Sequence, residues 1–270
     1  MTERLKARSE VDRQTITDFG EQWTRYTENS GYYGSPELFA DICEPLLSVN
    51  DVRGCIVADI GSGTGRIVNM LLDAGAARVT AIEPSESYAV VASNTASRAE
   101  CVEVIHNDGT AIPQDRNFDL IVSIGVLHHI ENPGPIVDAA RRALKPGGRM
   151  FVWLYARNEI YLAIFGPLRA VTKRLPHRML AGLCYGLDWL AMAYAKASRV
   201  IPLPLGGYLQ NVYVKLDPGV RRLAFYDQLN PAYAKYYRES EARALLEDNG
   251  FREVRTHHRH GYSWSVVGLK

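Results

Sequence analysis

The sequence predicts an α/β fold: a mostly parallel β-sheet with helices on both faces and a mainly helical insert after the fifth strand. Three observations carry this expectation. Residues 55 to 74 read as a buried strand, a glycine-rich turn and a helix. Short β-rich runs then alternate with helical stretches as far as Tyr155, the pattern of strands joined by crossover helices. Residues 156 to 238 are more chain than such a core requires.

Composition sets the class. The chain has 270 residues, 47% hydrophobic and 23% charged, with a net charge of +1. That is ordinary for a globular protein, and nothing global points to nucleic acid, which is not expected as a partner. The four cysteines lie far apart without a C-x-x-C pair, so zinc is not suggested; Cys55 and Cys101, in strand-like runs, read as small buried hydrophobes, and the protein as reducing and cytoplasmic. Met1 to Asp18 is charged and lacks the apolar core of a signal peptide. The longest apolar stretch, Met179 to Ala195, is interrupted by Asp188 and two glycines and is short for a membrane span. Four segments follow: an N-terminal helical arm and lid (1–50), a core (51–155), the insert (156–238) and a closing helix and hairpin (239–270).

The elements can be justified in order. Met1 to Asp18 reads as a mobile or helical arm. Phe19-Gly20-Glu21-Gln22-Trp23-Thr24-Arg25-Tyr26 and Gly31-Tyr32-Tyr33-Gly34 come next. Aromatics this dense ahead of the first strand form either a cap over the core or a lid over a ligand. Ser35 and Pro36 suit the N-cap and first position of a helix to about Glu44. Cys55 to Ile60 is strand one. Gly61, Gly63 and Gly65 let the backbone turn tightly and approach a ligand. The helix from Ile67 to Ala74 offers unpaired N–H groups at the same place.

Arg78 to Ile82 is strand two and ends in Glu83-Pro84-Ser85. A carboxylate at that tip can accept both hydrogen bonds of a vicinal diol. Ser85 or Ser87 caps a helix running to about Arg98. Val102 to His106, strand three, enters Asn107-Asp108-Gly109, which also reads as an Asx turn. Phe118 to Ile130 is strand four and its exit. Ser123 and Ile124 fall at its carboxyl end, where open α/β sheets bind ligands, and His128 and His129 follow. A helix from Pro135 to Leu144 stops at Pro146-Gly147, and Arg149 to Tyr155 is strand five.

Leu162 to Val200 reads as mostly helical, broken at Gly166-Pro167 and Leu175-Pro176. Between Ile160 and Gly206, six basic residues (Arg169, Lys173, Arg174, Arg178, Lys196, Arg199) face one acid, Asp188. Pro202 to Gly207 marks a loop. The tyrosine-rich stretch from Phe225 to Tyr237 either lines an acceptor pocket or packs the insert on the core. Ser240 to Asn249 reads as a helix capped by Ser240, followed by strands at Phe251–His257 and Tyr262–Leu269. His257, His258 and His260 cluster without a neighbouring carboxylate or cysteine motif, so no metal is expected.

The glycine turn spells G-x-G-x-G, with Asp59 two residues ahead and Arg66 where a dinucleotide site has its third glycine. This stretch resembles the first motif of class I S-adenosylmethionine (SAM) methyltransferases. Phe19-Gly20-Glu21-Gln22-Trp23, Leu127-His128-His129 and Leu144-Lys145-Pro146-Gly147-Gly148 resemble the family in the same order. The resemblance covers about residues 55 to 155. It implies a Rossmann-like, seven-stranded, mostly parallel sheet with SAM as cofactor. It places Glu83 at the ribose and Asp108 at the adenine amino group, with Pro84, Asn107 and Gly109 also in the cofactor site. Asp59, Gly61, Ser62, Gly63, Gly65, Ser123 and Ile124 complete the cofactor site. Trp23 and Tyr26 are the lid candidates, because aromatic faces attract a sulfonium cation.

His128 and His129 are the catalytic candidates, as a base for a hydroxyl acceptor; they can equally orient the following helix. The acceptor is expected to be a small molecule, such as a sugar or natural-product hydroxyl. A lipid-linked or quinone-like acceptor is the alternative, with the basic, apolar insert touching a membrane surface. A SAM-binding protein without catalysis and a homodimer through the insert stay open. Arg66 disfavours a nicotinamide dehydrogenase.

Overall fold

The computed structural model describes residues 9–172, 175–229 and 233–270. Residues 1–8 of the expected arm, Lys173 and Arg174 of the basic set, and residues 230–232 of the tyrosine-rich stretch lie outside the described residues.

The first helix among the described residues is α1 (Glu10–Arg25), capped by Ser9, whose hydroxyl accepts the Asp12 N–H at 3.1 Å. Helix α2 (Pro36–Cys43) begins as expected, with the Ser35 hydroxyl accepting the Leu38 N–H. The core then alternates β1 (Ile56–Ile60), α3 (Arg66–Asp73), β2 (Arg78–Ile82), α4 (Tyr88–Asn94), β3 (Val102–Ile105), β4 (Phe118–Ile124), α5 (Gly134–Ala143) and β5 (Leu144–Tyr155). The insert holds α6 (Glu159–Thr172), α7 (His177–Ala197), α8 (Gly206–Asn211) and α9 (Pro218–Leu229). Helix α10 (Glu239–Glu247), β6 (Arg252–Arg259) and β7 (Ser263–Leu269) end the chain.

Among the described residues seven strands form one sheet, in the order β3-β2-β1-β4-β5-β7-β6. Strands β1 to β5 pair in parallel, and β7 runs antiparallel between β5 and β6. The central strands are buried on both sides, which is why they read as almost continuous apolar runs. Val57, Val79, Leu120 and Phe151 pack with α2 and α3 on one face. Ala58, Ile121, Met150 and Val152 pack with α5 and α10 on the other. The order reverses between β1 and β4, so a crevice opens at their carboxyl ends.

Several expected boundaries move. Gly166-Pro167 does not break α6, which runs through Pro167. Phe165 and Leu168 pack beside Leu180, Cys184 and Tyr226, and this tertiary burial outweighs one missing backbone hydrogen bond. Helix α4 stops at Asn94 rather than near Arg98, whose backbone is non-helical (φ −131°) inside a short 3₁₀ segment. Helix α10 starts at Glu239, so Ser240 is not its cap. Instead the Glu241 carboxylate accepts the Arg238 N–H at 2.8 Å. Strand β5 reaches back to Leu144, because Leu144 still pairs with Phe118 across an irregularity. Gly206 and Gly207, read as loop, open α8.

Candidate active site

Strand β1 feeds the glycine turn. Gly61, Gly63 and Gly65 have φ of 80°, 57° and 79°, a left-handed backbone that side chains disfavour. A Cβ on Gly61 would also collide with Val126 in the β4 exit. Glu83 stands at the tip of β2, only 5% exposed. Its Oε2 accepts the Gly63 N–H at 2.8 Å, and its Oε1 accepts the Ser85 N–H at 2.9 Å and the Ser85 hydroxyl at 2.6 Å. Burial raises its pKa, and the Ser85 and Gly63 donors pull the other way. Oε2 therefore anchors the turn and keeps a lone pair for a ligand hydroxyl. Asp108 accepts the Thr110 N–H at 2.7 Å, so the expected Asx turn is present, and the residue also lines the cavity.

Helix α1 covers this crevice. Asp12, Thr15, Ile16, Phe19 and Trp23, at helical spacing, line its roof. The Trp23 indole lies over Gly63, within 3.4 Å of where a Cβ would sit. Past the helix, Asn29 donates to the Thr64 carbonyl at 3.0 Å and accepts the Thr64 hydroxyl at 2.7 Å. Asn94 donates to the carbonyls of Thr27 and Thr64, both at 2.9 Å. On its far side Gln22 donates to Asp227 of the insert.

Two chambers meet beneath the lid. The first is bounded by the glycine turn, Glu83, Pro84, Asp108, Gly109, Ile130 and Ile136. The second is bounded by Trp153, Tyr155, Tyr208, Tyr262, Leu223 and Asp227. Phe19, Trp23, Tyr33, Arg66, Ile124, Gly125 and His129 line both. The second chamber is rich in aromatic side chains. Its polar groups include Asp227, whose pKa burial pushes up to about 7, and Trp153, whose buried indole N–H finds no hydrogen-bond partner among the described residues.

The two histidines separate. His129 sits on the shared wall, with its Nδ1 2.8 Å from the Tyr233 carbonyl and its ring edge-on to Phe19 at 4.7 Å. A carbonyl only accepts, so Nδ1 carries the proton and Nε2 holds the lone pair. Burial pushes the pKa of His129 down to about 4. His128 lies behind it, fully buried against Tyr155 with ring centroids 3.9 Å apart, and is not on either chamber wall. Burial also holds its pKa well below that of a free imidazole.

Of the expected cofactor residues, Gly61, Ser62, Gly63, Glu83, Pro84, Asp108, Gly109, Ile124 and Trp23 line the first chamber. Five do not. Asp59 is buried beneath the turn, its pKa pushed up to about 7 by burial. Gly65 packs on Val91 and Thr95 at the start of α3. The Asn107 side chain accepts the Asp108 N–H, and the Ser123 hydroxyl donates to the Ile60 carbonyl. Tyr26, just past the end of α1, turns toward Tyr226 at 6.5 Å and is partly in solvent. Sequence reasoning missed Arg66, Gly125, Asp227 and the aromatic wall from β5 and α8. The periodic apolar face of α1 was a readable signal. Asp227 was not readable, because only the docking of α9 brings it there. In the terminal hairpin, His258 stacks on Trp264 at 4.3 Å and His260 hydrogen-bonds Asp41 at 2.7 Å.

These features fit the adenosyl cofactor that the turn suggests: an anchored carboxylate for a ribose diol, apolar walls for a base and aromatic faces for a cation. A family model described as a methyltransferase domain matches residues 58–152. Residues 58–152 are thus a methyltransferase domain with the class I, SAM-dependent fold. Its cofactor is SAM. A ubiquinone biosynthesis O-methyltransferase from Hydrogenovibrio crunogenus is 25% identical over 167 residues, 60% of this chain and 69% of that one. A demethylmenaquinone methyltransferase from Tropheryma whipplei is 34% identical over 110 residues, 40% of this chain and 45% of that one. Among solved structures, a magnesium protoporphyrin IX methyltransferase from Synechocystis, determined with bound S-adenosylhomocysteine, superposes with a TM-score of 0.56. Its identity is 15%, covering 96% of this chain and 97% of that one. The methyltransferase thus shares its core with these relatives and less than half the length of some.

Proposed function

We propose that this protein methylates a hydroxyl on a small aromatic acceptor, with His129 taking the hydroxyl proton. The observation that carries the reading is the shared wall: His129, on both chambers, has Nδ1 committed to Tyr233 and Nε2 free to accept. Bound SAM supplies an electrophilic methyl group on a sulfonium. The protein's part is to hold the acceptor oxygen at the junction, exclude water under α1 and receive the proton. With a pKa of about 4, His129 is unprotonated at neutral pH. It is a weak base, suited to a proton that leaves as the new C–O bond makes the oxygen acidic. A phenol, with a pKa of about 10 like a tyrosine, needs less help than an aliphatic alcohol.

The aromatic wall of the second chamber supports a flat ring. The quinone-biosynthesis names of the relatives point the same way. A sugar hydroxyl is supported less, because a sugar needs many open polar partners and much of this wall is aromatic or apolar. The test is transfer of labelled methyl from SAM to catechols, short-chain prenyl phenols and nucleotide sugars. His129→Asn keeps a donor for Tyr233 and removes the base. It should lower kcat by roughly 10²–10⁴-fold with SAM affinity unchanged. Labelled sugars without labelled phenols would replace the aromatic reading. SAM binding without turnover on any acceptor would leave a binding module.

A further inference from the structure

Helix α7 carries large apolar side chains on both sides, yet only one side is covered. Its inner face, with Leu180 and Cys184 each 1% exposed, packs on α9 and on Phe165 and Leu168 of α6. Its outer face carries Met179 (60% exposed), Tyr185, Trp189 (78%), Leu190 (67%) and, just past its end, Val200. The small residues Gly182, Gly186, Ala193 and Ala197 lie between them, also exposed. A helix exposed on one side normally turns polar residues to water, and a contiguous apolar face marks a docking surface.

Charge names the occupant. Arg178 is exposed at one end of the face and Lys196 and Arg199 at the other. Arg222 stacks over the Tyr185 ring at 4.0 Å. From residue 160 to residue 206 the only acid is Asp188. Asp188 is buried on the inner side, 2.7 Å from Arg221 Nε and 2.7 Å from the Tyr213 hydroxyl. The outer face of the helix therefore offers cations and apolar side chains, and the one carboxylate of this segment is turned away from it. Among the described residues no helix is long and apolar enough to cross a membrane.

We propose that α7 lies flat on an anionic lipid surface. Trp189, Leu190 and Met179 enter the boundary between headgroups and acyl chains, and Arg178, Lys196 and Arg199 meet lipid phosphates. The helix α9 beneath α7 supplies Leu223, Ala224 and Asp227 to the acceptor chamber, so the lipid surface would lie one helix layer from that chamber. The docking claim does not depend on the identity of the methyl acceptor.

The test is flotation of the full chain with phosphatidylglycerol/phosphatidylcholine vesicles and with phosphatidylcholine alone. Binding is expected to the anionic vesicles at low salt and to be lost near 1 M salt, where the Debye length is about 3 Å. Brominated acyl chains should quench the Trp189 fluorescence. Trp189→Gln with Leu190→Gln removes two large apolar anchors and should weaken binding by more than about tenfold, with SAM affinity unchanged. The triple change Arg178→Gln, Lys196→Gln and Arg199→Gln should act in the same direction and remove the salt dependence. No binding to anionic vesicles at low salt overturns the proposal. So does equal binding to neutral vesicles. A dimer in sedimentation that Trp189→Gln with Leu190→Gln abolishes, without vesicle binding, would reassign the face to a second copy of the chain.

Discussion

Replacing Glu83 by Ala tests the cofactor site where its geometry is most specific. The carboxylate accepts the Gly63 N–H at 2.8 Å, and on the proposed reading its one remaining lone pair, on Oε2, accepts a ribose hydroxyl. Hydrogen bonds to a charged group contribute about 1.5 kcal/mol each at the low end. Losing the one to the ribose costs about 1.5 kcal/mol, or roughly tenfold in Kd. The fold should tolerate the change, because burial already disfavours this carboxylate. Calorimetric titration with SAM and S-adenosylhomocysteine reads the loss, and a thermal melt checks the fold. A 2′,3′-dideoxy analogue separates the two tasks. The protein with Glu83 should bind it about as weakly as Glu83→Ala binds the normal ligand, and Glu83→Ala should not distinguish the two ligands. A loss below about threefold, or one equal for both ligands, would leave Glu83 as an anchor of the turn and refute its role at the ribose.

Other perturbations follow from the same geometry. Because burial holds His129 near a pKa of about 4, kcat should rise with pH only in the acid range and stay flat from pH 6 to 8, using an acceptor that does not itself titrate there. An inflection near 6.5 would assign the proton to another group. Asp227 has its pKa raised to about 7, so the folded protein keeps a proton that the unfolded chain has already released. Its contribution to stability therefore falls as pH rises from about 4 to 7. Asp227→Asn keeps an acceptor for Gln22 and should stabilise the protein by on the order of 1 kcal/mol at pH 8, with little effect at pH 4, read by denaturant melts. Asn29→Ala removes both links to Thr64 and should speed release of S-adenosylhomocysteine in stopped flow by about tenfold, with a smaller change in association. Gly109→Ala places a methyl 2.7 Å from Ile136 and 2.8 Å from Ile60, and should cost about 1–3 kcal/mol of stability.

The parallel core was legible because its signals are local. A strand buried on both faces reads as an apolar run, and a turn that needs left-handed backbone shows its glycines. Glu83 lines the first chamber because it stands at a strand tip, a place that topology converts directly into position. Asp59 and Gly65 were drawn in by the same motif, but serve beneath and behind the turn, a distinction that depends on which way a side chain points. The insert was least readable. Helix α9 carries a start signal in Asp217-Pro218, yet nothing local says that its Asp227 will face the N-terminal helix. Pro167 misled for a related reason: packing on the rest of the insert kept a helix that local propensity would end.

The lid is built from the earliest residues of the described chain, yet it is held by later ones. Ser9 bonds Glu131, Asp12 accepts the Glu131 N–H, and Gln22 reaches Asp227, at sequence separations of 122, 119 and 205. During synthesis α1 emerges long before its docking surfaces exist, and it can settle only after the sheet and α9 have formed. Contacts this distant carry the largest loop-closure entropy, which sets α1 to join the fold late and to detach before the sheet does. The order of assembly therefore leaves the crevice open until the rest of the molecule is in place. In hydrogen exchange, the amides of α1 should open at a free energy well below that of β1 and β4.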